Sequence, residues 1–396
     1  MNNLEHASKQ VSPTVLTEEI WKWIFAHLDA KPVELRLKHG NQEPFYSAIS
    51  QVEARARYSK KFKDFISSRW VFPVGIGLEQ SSSVATAKIK QRLFRAPYSA
   101  DLCGGLGMDS YFICERLSSK KHVVFERNLG LAQLLKHNLT ASKVISSEFN
   151  FDDLDDWIKR ENIHTNELEV YLDPDRRSND RRSFSILEGA PNLVSIQGDL
   201  LTRCAKIIAK HSPMADFKEI KELLLNLSEL HVIQFQGECK EVVTVQKKGY
   251  QGSVKTILID AETQDELREQ HTIPSLDVLT SLKTYIIQPS AGLNKSGLHP
   301  QFAQIHGWSK LIFGNLYTSE IQPPPSVFYK TFKVNEVFDS LKRAKLFGPA
   351  AIESIGSKIS SDELRKRFKL KEGREQKIFY LQNGKLKMIV SCQLIE

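Results

Sequence analysis

Two acids framing a glycine-rich turn are the residues of this chain best placed to do chemistry. The run Ala100-Asp101-Leu102 ends in a carboxylate, Cys103-Gly104-Gly105-Leu106-Gly107 follows, and a helical pattern opens at Met108. A second apolar run, Val123-Val124-Phe125, closes on Glu126-Arg127-Asn128, so the second acid falls 25 positions after the first. Glycines let a backbone turn with positive φ and approach a ligand closely. The helix that follows points its free N–H groups at that ligand. A carboxylate ending the second strand accepts hydrogen bonds from both hydroxyls of a ribose. This is how an α/β sheet builds a nucleoside crevice at the carboxyl ends of its strands. A glycine turn without a ligand is the plainer alternative.

The spacing separates two cofactor classes. The dinucleotide fingerprint G-x-G-x-x-G holds a pyrophosphate on a helix N-terminus. Here the order is Asp-x-x-Gly-Gly-x-Gly, with the acid before the turn. A carboxylate there repels a pyrophosphate and accepts bonds from an amino-acid ammonium group, which favours S-adenosylmethionine over NAD. Further along, Asn150-Phe151-Asp152 offers a carboxylate to an adenine amino group. Glu169-Val170-Tyr171-Leu172 reads as a buried strand running into Asp173-Pro174-Asp175-Arg176-Arg177. Residues 205–213 read as a fifth strand, and 231–235, 241–246 and 254–259 as closing strands with an antiparallel hairpin.

This order of motifs resembles the class I S-adenosylmethionine-dependent methyltransferases. Gly77-Leu78-Glu79-Gln80-Ser81-Ser82, Thr86-Ala87, the glycine turn, Asp173-Pro174-Asp175-Arg176-Arg177 and Lys210-His211-Ser212-Pro213-Met214-Ala215-Asp216 are together similar to one bacterial group of that class. That group carries a small ferredoxin-like insert and a C-terminal THUMP-like domain, and the likeness runs from about residue 55 to the end. It implies a Rossmann-like, seven-stranded α/β sheet and methyl transfer from S-adenosylmethionine. It also implies cofactor contacts at Gln80, Ser81, Asp101, Gly104, Gly105, Gly107, Glu126, Arg127, Asp152 and Asp173, with Gln80 and Ser81 at the methionine end. In amino-methyltransferases with this arrangement, an Asp or Asn followed by two prolines and an aromatic holds the acceptor amine. Here Asp173 and Pro174 match, Asp175 replaces the second proline and Arg176 replaces the aromatic. The catalytic candidates are therefore Asp173, Pro174 and Arg176, the last stacking through its guanidinium plane or binding a phosphate. Ion pairs of Arg176-Arg177 and Arg181-Arg182 with Asp175 and Asp180 in a surface loop are the plainer alternative. Lys210, Ser212 and Asp216 line the acceptor side, and Cys103 is read as a small residue packed against the ligand.

Other elements must position this site. Residues 1–70 read as a helical region: Thr17 caps a helix with Glu18 and Glu19 in its first turn and a stripe of Ile20, Trp21, Trp23, Ile24 and Leu28. A second helix, from Val52 to Phe65, carries Arg55, Arg57, Lys60, Lys61 and Lys63 on its outside. Ser81 or Ser82 caps the helix that leads into the first strand. The methyltransferase domain then spans 71–275, a small ferredoxin-like domain 276–325, and a THUMP-like basic domain 326–396, with Gln322-Pro323-Pro324-Pro325 as a stiff linker. The terminal domain reads as strand-like runs and two helices, with a hairpin at Asn383-Gly384.

Charge and composition narrow the partners. The chain has 55 Lys and Arg against 47 Asp and Glu, and 15 against 8 of these lie in residues 326–396. The excess gathers in Leu341–Lys345 and Leu364–Lys371. Such a surface suits a phosphate backbone, and THUMP domains generally serve RNA-modifying enzymes, so RNA is the expected partner. Five scattered cysteines form neither a disulfide framework nor a zinc spacing, so no metal is expected and a reducing cytoplasm is. No apolar run approaches 18 residues, so no membrane span is expected. The function read from all this is an S-adenosylmethionine-dependent RNA methyltransferase. The alternatives are a cofactor- and RNA-binding protein without activity, or a methyltransferase for a protein or small molecule.

Overall fold

A computed structural model describes residues 11–75, 77–116, 121–175, 177–178, 181–182, 185–270, 275–338, 349–373 and 376–395. The chain forms two compact units, residues 1–230 with 241–254, and residues 231–240 with 255–396.

The first unit opens with helices α1 (Glu18–Ala26), α2 (Pro32–His39) and α3 (Phe45–Tyr58). Thr17 caps α1 by accepting the Ile20 N–H, and Trp21 and Ile24 turn inward, as the apolar stripe predicts. They pack with Ile49, Val52, Val71 and Leu134. After the short α4 (Gly77–Gln80) and α5 (Val84–Gln91), strands and helices alternate: β1 (Tyr98–Asp101), α6 (Met108–Arg116), β2 (His122–Phe125), α7 (Leu129–Asn138), β3 (Ser142–Ile145), α8 (Phe151–Glu161) and β4 (Leu168–Leu172). A two-residue-stranded ribbon, β5 (Arg177–Ser178) and β6 (Arg181–Arg182), precedes α9 (Leu193–Arg203), β7 (Lys206–His211), α10 (Phe217–Leu223), β8 (Leu227–Phe235) and β9 (Glu238–Lys247). Ser83, rather than Ser81 or Ser82, caps α5, accepting the Thr86 N–H at 3.2 Å.

Strand pairing runs in the order β11-β10-β8-β9-β7-β4-β1-β2-β3, where β10 is Lys255–Asp260 and β11 Glu266–Arg268; the β8–β9 hairpin is divided between the two units. The expected seven strands are therefore nine, because β10 and β11 continue pairing where β8 would otherwise leave its edge open. β1, β2, β3, β4 and β7 are mutually parallel, and β9 runs antiparallel to β7. Strand order reverses between β1 and β4, which places a crevice at their carboxyl ends.

Arg55 departs from the expected outer helix face. It is 1% exposed and lies against the rings of Trp21 and Phe72. Its guanidinium donates to the carbonyls of Ile66, Ser68 and Trp70 and to the Gln51 side chain, at 2.8–3.1 Å. A planar fork of five N–H groups matches a loop full of carbonyls in a way a lysine cannot. Burial pulls its pKa down to about 9. Lys61 also turns inward, donating to the carbonyls of Leu78 and Glu79 at 2.8 Å each.

The second unit holds an eight-stranded sheet, in the order β12-β14-β15-β13-β16-β19-β18-β17. Its elements are β12 (Val278–Leu279), β13 (Tyr285–Pro289), α11 (Ala291–Ser296), α12 (His299–Ile305), β14 (Ser309–Leu311), β15 (Tyr317–Ser319), β16 (Tyr329–Phe338), β17 (Ala351–Ile355), α13 (Ser361–Phe368), β18 (Gln376–Asn383) and β19 (Leu386–Ile395). β18 and β19 form the hairpin expected at Asn383-Gly384. The segments placed on either side of the proline linker share this one sheet, since β13 pairs antiparallel with β16 from Tyr285↔Lys333 to Pro289↔Tyr329. Ile286, Leu311 and Phe313 sit in the same core as Phe332, Phe379 and Val390. Strands of two or three residues bury too little apolar surface to stand alone. Of the two terminal helices expected, α13 is described; residues 341–345 fall outside the described residues.

Arg55→Met leaves the carbonyls of Ile66, Ser68 and Trp70 without these donors. It is expected to lower the unfolding free energy by at least about 2 kcal/mol in urea denaturation; a loss below about 0.5 kcal/mol would contradict the assignment.

Candidate functional site

Asp101, the last residue of β1, folds its carboxylate under the glycine turn. Oδ1 accepts the Cys103 N–H at 3.0 Å and Oδ2 accepts the Ser110 hydroxyl at 2.5 Å. Burial raises its pKa to about 7, against the two hydrogen bonds, with the charges of Asp109 and Asp173 adding to the rise. Behind Ser110 stands His122, held neutral because burial lowers its pKa to about 3. Since the Ser110 hydroxyl is given to Asp101, its oxygen takes the His122 Nε2–H at 3.0 Å, which leaves Nδ1 to accept the Ser99 hydroxyl at 2.7 Å. Sequence spacing did not reveal this chain of Ser99, His122 and Ser110.

The turn itself needs glycine. A Cβ on Gly104 would lie 2.3 Å from Val124 Cγ1, and Gly107 combines φ of +83° with Leu135 Cδ2 at 2.4 Å. A Cβ on Gly105 would meet only the Cys103 carbonyl, 4.0 Å away. Glu126, at the end of β2, is tied down at both oxygens: Oε2 accepts the Gly105 N–H at 2.8 Å and Oε1 the Asn128 N–H at 2.7 Å. Burial raises its pKa, those two N–H groups opposing. Each oxygen keeps a lone pair for a hydroxyl donor. A fixed diol acceptor beside an open glycine and a second carboxylate at the strand end fit the ribose and ammonium groups of S-adenosylmethionine.

Asp173 stands beside this turn. Its backbone N–H donates to Cys103 Sγ at 3.0 Å and its Oδ2 meets Lys210 Nζ at 2.5 Å. Cys103 thus ties the turn to the Asp-Pro loop, a role beyond the packing expected of it. Pro174 is buried, and Asp175 exchanges both backbone hydrogen bonds with Ala190. Asp175 pairs with Arg127 at 2.9 Å, so Arg127 faces the Asp-Pro loop. Arg176 lies outside the described residues, as do the side chains of Gln80, Arg177, Arg181 and Arg182. Ser81 donates to the Leu78 carbonyl at 3.1 Å. Asp152 is exposed in the first turn of α8. On the acceptor side, Ser212 accepts the Met214 N–H and Asp216 caps α10, both local duties.

A buried ionic cluster went unnoticed in the sequence. Lys90 Nζ contacts Glu241, donates to Ser82 Oγ at 2.6 Å and lies 3.1 Å from Asp109 Oδ1. Tyr171 donates to Asp109 Oδ2 at 2.8 Å. Among the described residues, no helix is long and apolar enough to cross a membrane and no set of side chains gathers as metal ligands.

No protein-family profile matches the chain. Proteins from two strains of Mycobacterium tuberculosis, each described as an "uncharacterized S-adenosylmethionine-dependent methyltransferase", are 24% identical over 359 residues, 86% of this chain and 93% of theirs. A crystal structure of a "putative methyltransferase" from Porphyromonas gingivalis W83 superposes with a TM-score of 0.80 at 26% identity, covering 98% of this chain and 99% of that one.

The Asp101 titration has a sign. A carboxyl raised from 3.8 to about 7 on folding contributes stability that is whole below pH 4 and lost as pH rises through 7. Wild type should therefore lose stability relative to Asp101→Asn between pH 5 and 8, read as the difference in Tm. A difference that does not change with pH would refute it.

Proposed function

We propose that this chain, an S-adenosylmethionine-dependent methyltransferase with a class I-type α/β fold, methylates RNA. Bound S-adenosylmethionine supplies an activated methyl group, so the protein's work is alignment. Glu126 receives the ribose hydroxyls, Asp101 the ammonium group, and Asp173 with Pro174 holds the acceptor in line. In place of an aromatic platform, residue 176 supplies an arginine, whose guanidinium suits a base or a phosphate.

The observation that carries the RNA reading is the cationic surface of residues 326–396, which we assign as the RNA-holding, THUMP-like portion. Leu364 of α13 is buried in the core, while Lys366, Arg367, Lys369 and Lys371 are exposed beside it. One face of the helix packs and the other offers charge to phosphates. The five free cysteines fit a cytoplasmic enzyme.

Incubating the protein with labelled cofactor and total RNA, from a strain lacking the gene, tests this directly. Label should enter RNA. Label in protein instead sinks the RNA reading, and label nowhere favours a protein that only binds. Glu126→Ala should weaken cofactor binding by at least about tenfold in calorimetry. Combined Lys366→Glu, Arg367→Glu and Lys371→Glu should weaken RNA binding and flatten its salt dependence, while leaving cofactor affinity unchanged.

A further inference from the structure

We infer that Lys210 and Cys103 are positioning residues that clamp Asp173 at two points, leaving one carboxylate oxygen to receive an N–H from the methyl acceptor. The inference rests on the methyltransferase reading above. Asp173 N–H is held by Cys103 Sγ and Oδ2 by Lys210 Nζ, while Oδ1 has no partner among the described residues. Lys210 is 6% exposed, whereas the Asp173 side chain is 26% exposed. The ammonium therefore stands behind the carboxylate, and an incoming group meets Asp173 alone. A carboxylate oxygen recognises a donor, so the acceptor class is an amine or ring N–H. On methyl transfer the sulfonium S–CH3 bond breaks, a nitrogen–carbon bond forms, and the nitrogen's proton leaves to solvent.

The surroundings of Lys210 are built for a permanent cation. Burial works against its charge, but Asp173, Glu241 and Asp109 outweigh burial and hold its pKa above the ordinary lysine value. Each neighbour comes from a different segment: Glu241 from β9, Asp109 from α6, Lys90 from α5, Tyr171 from β4 and Lys61 from the turn that follows α3. Lys90 pairs with Glu241 and Asp109, whereas the ion pair of Lys210 is made with Asp173. Lys61 feels the charge of Lys210, and burial with that repulsion lowers its pKa to about 8. Without Lys210, Asp173 would face the charge of Asp101 with no cation of its own.

The test compares Lys210→Met, Cys103→Ala and Asp173→Asn with wild type, using S-adenosylmethionine and whichever cell fraction wild type labels. Lys210→Met should lower kcat by on the order of a hundredfold, as a misplaced group does. KM for S-adenosylmethionine should stay within about twofold. Cys103→Ala should lower kcat, with Cys103→Ser restoring part of it. Lys210→Met with Asp173→Asn should be no worse than the poorer single variant. Multiplying losses, or a kcat equal to wild type, would overturn the clamp. If wild type labels no fraction, the methyl-transfer reading fails. The clamp is then decided by a double-mutant cycle in urea: non-additive losses uphold it and additive losses remove it.

Discussion

The carboxylate of Asp101, buried where β1 ends, is the constraint on which the site depends. It spends its two oxygens on the turn and on α6, through the Cys103 N–H and the Ser110 hydroxyl. Those bonds fix where the glycine turn begins and how the helix leaves it. Glu126 then fastens the far side of the turn through Gly105, and Cys103 fastens the Asp-Pro loop. One buried acid thus fixes the turn against which the neighbouring segments are held. The cost is its own desolvation, visible as a carboxyl that titrates near neutrality.

Much of this was legible because it is local. An acid, a glycine turn, a helix and a second acid fall within 25 positions, and strand sterics leave few ways to arrange them. The caps of α1 and the β18–β19 hairpin were legible for the same reason. What escaped is contact across long separations. Lys90 and Glu241 are 151 positions apart, and no periodicity links them. The one trace was Glu241 at the head of the run Val242-Val243; Lys90, beside Lys88 and Arg92, reads as solvated. Arg55 shows the same error: a basic residue among basic residues reads as solvated, yet its shape matches a loop of carbonyls better than water does.

Ionic chemistry is unevenly distributed between the two faces of the site. Around Asp101 lie hydroxyls and a histidine that burial holds neutral. Around Asp173 lie two buried lysines among three carboxylates. Such a cluster contributes little net stability, since desolvation nearly offsets attraction. Its use is in holding one geometry.

The pairing of β13 with β16 has a consequence for dissecting the chain. Cutting at the three prolines would strip β13 of a neighbour along five residues and leave Phe332 and Phe379 missing from the core around Ile286. An unpaired strand edge with exposed aromatic cavities invites association with other copies. The proline segment, linker-like as it looks, joins two parts of one sheet.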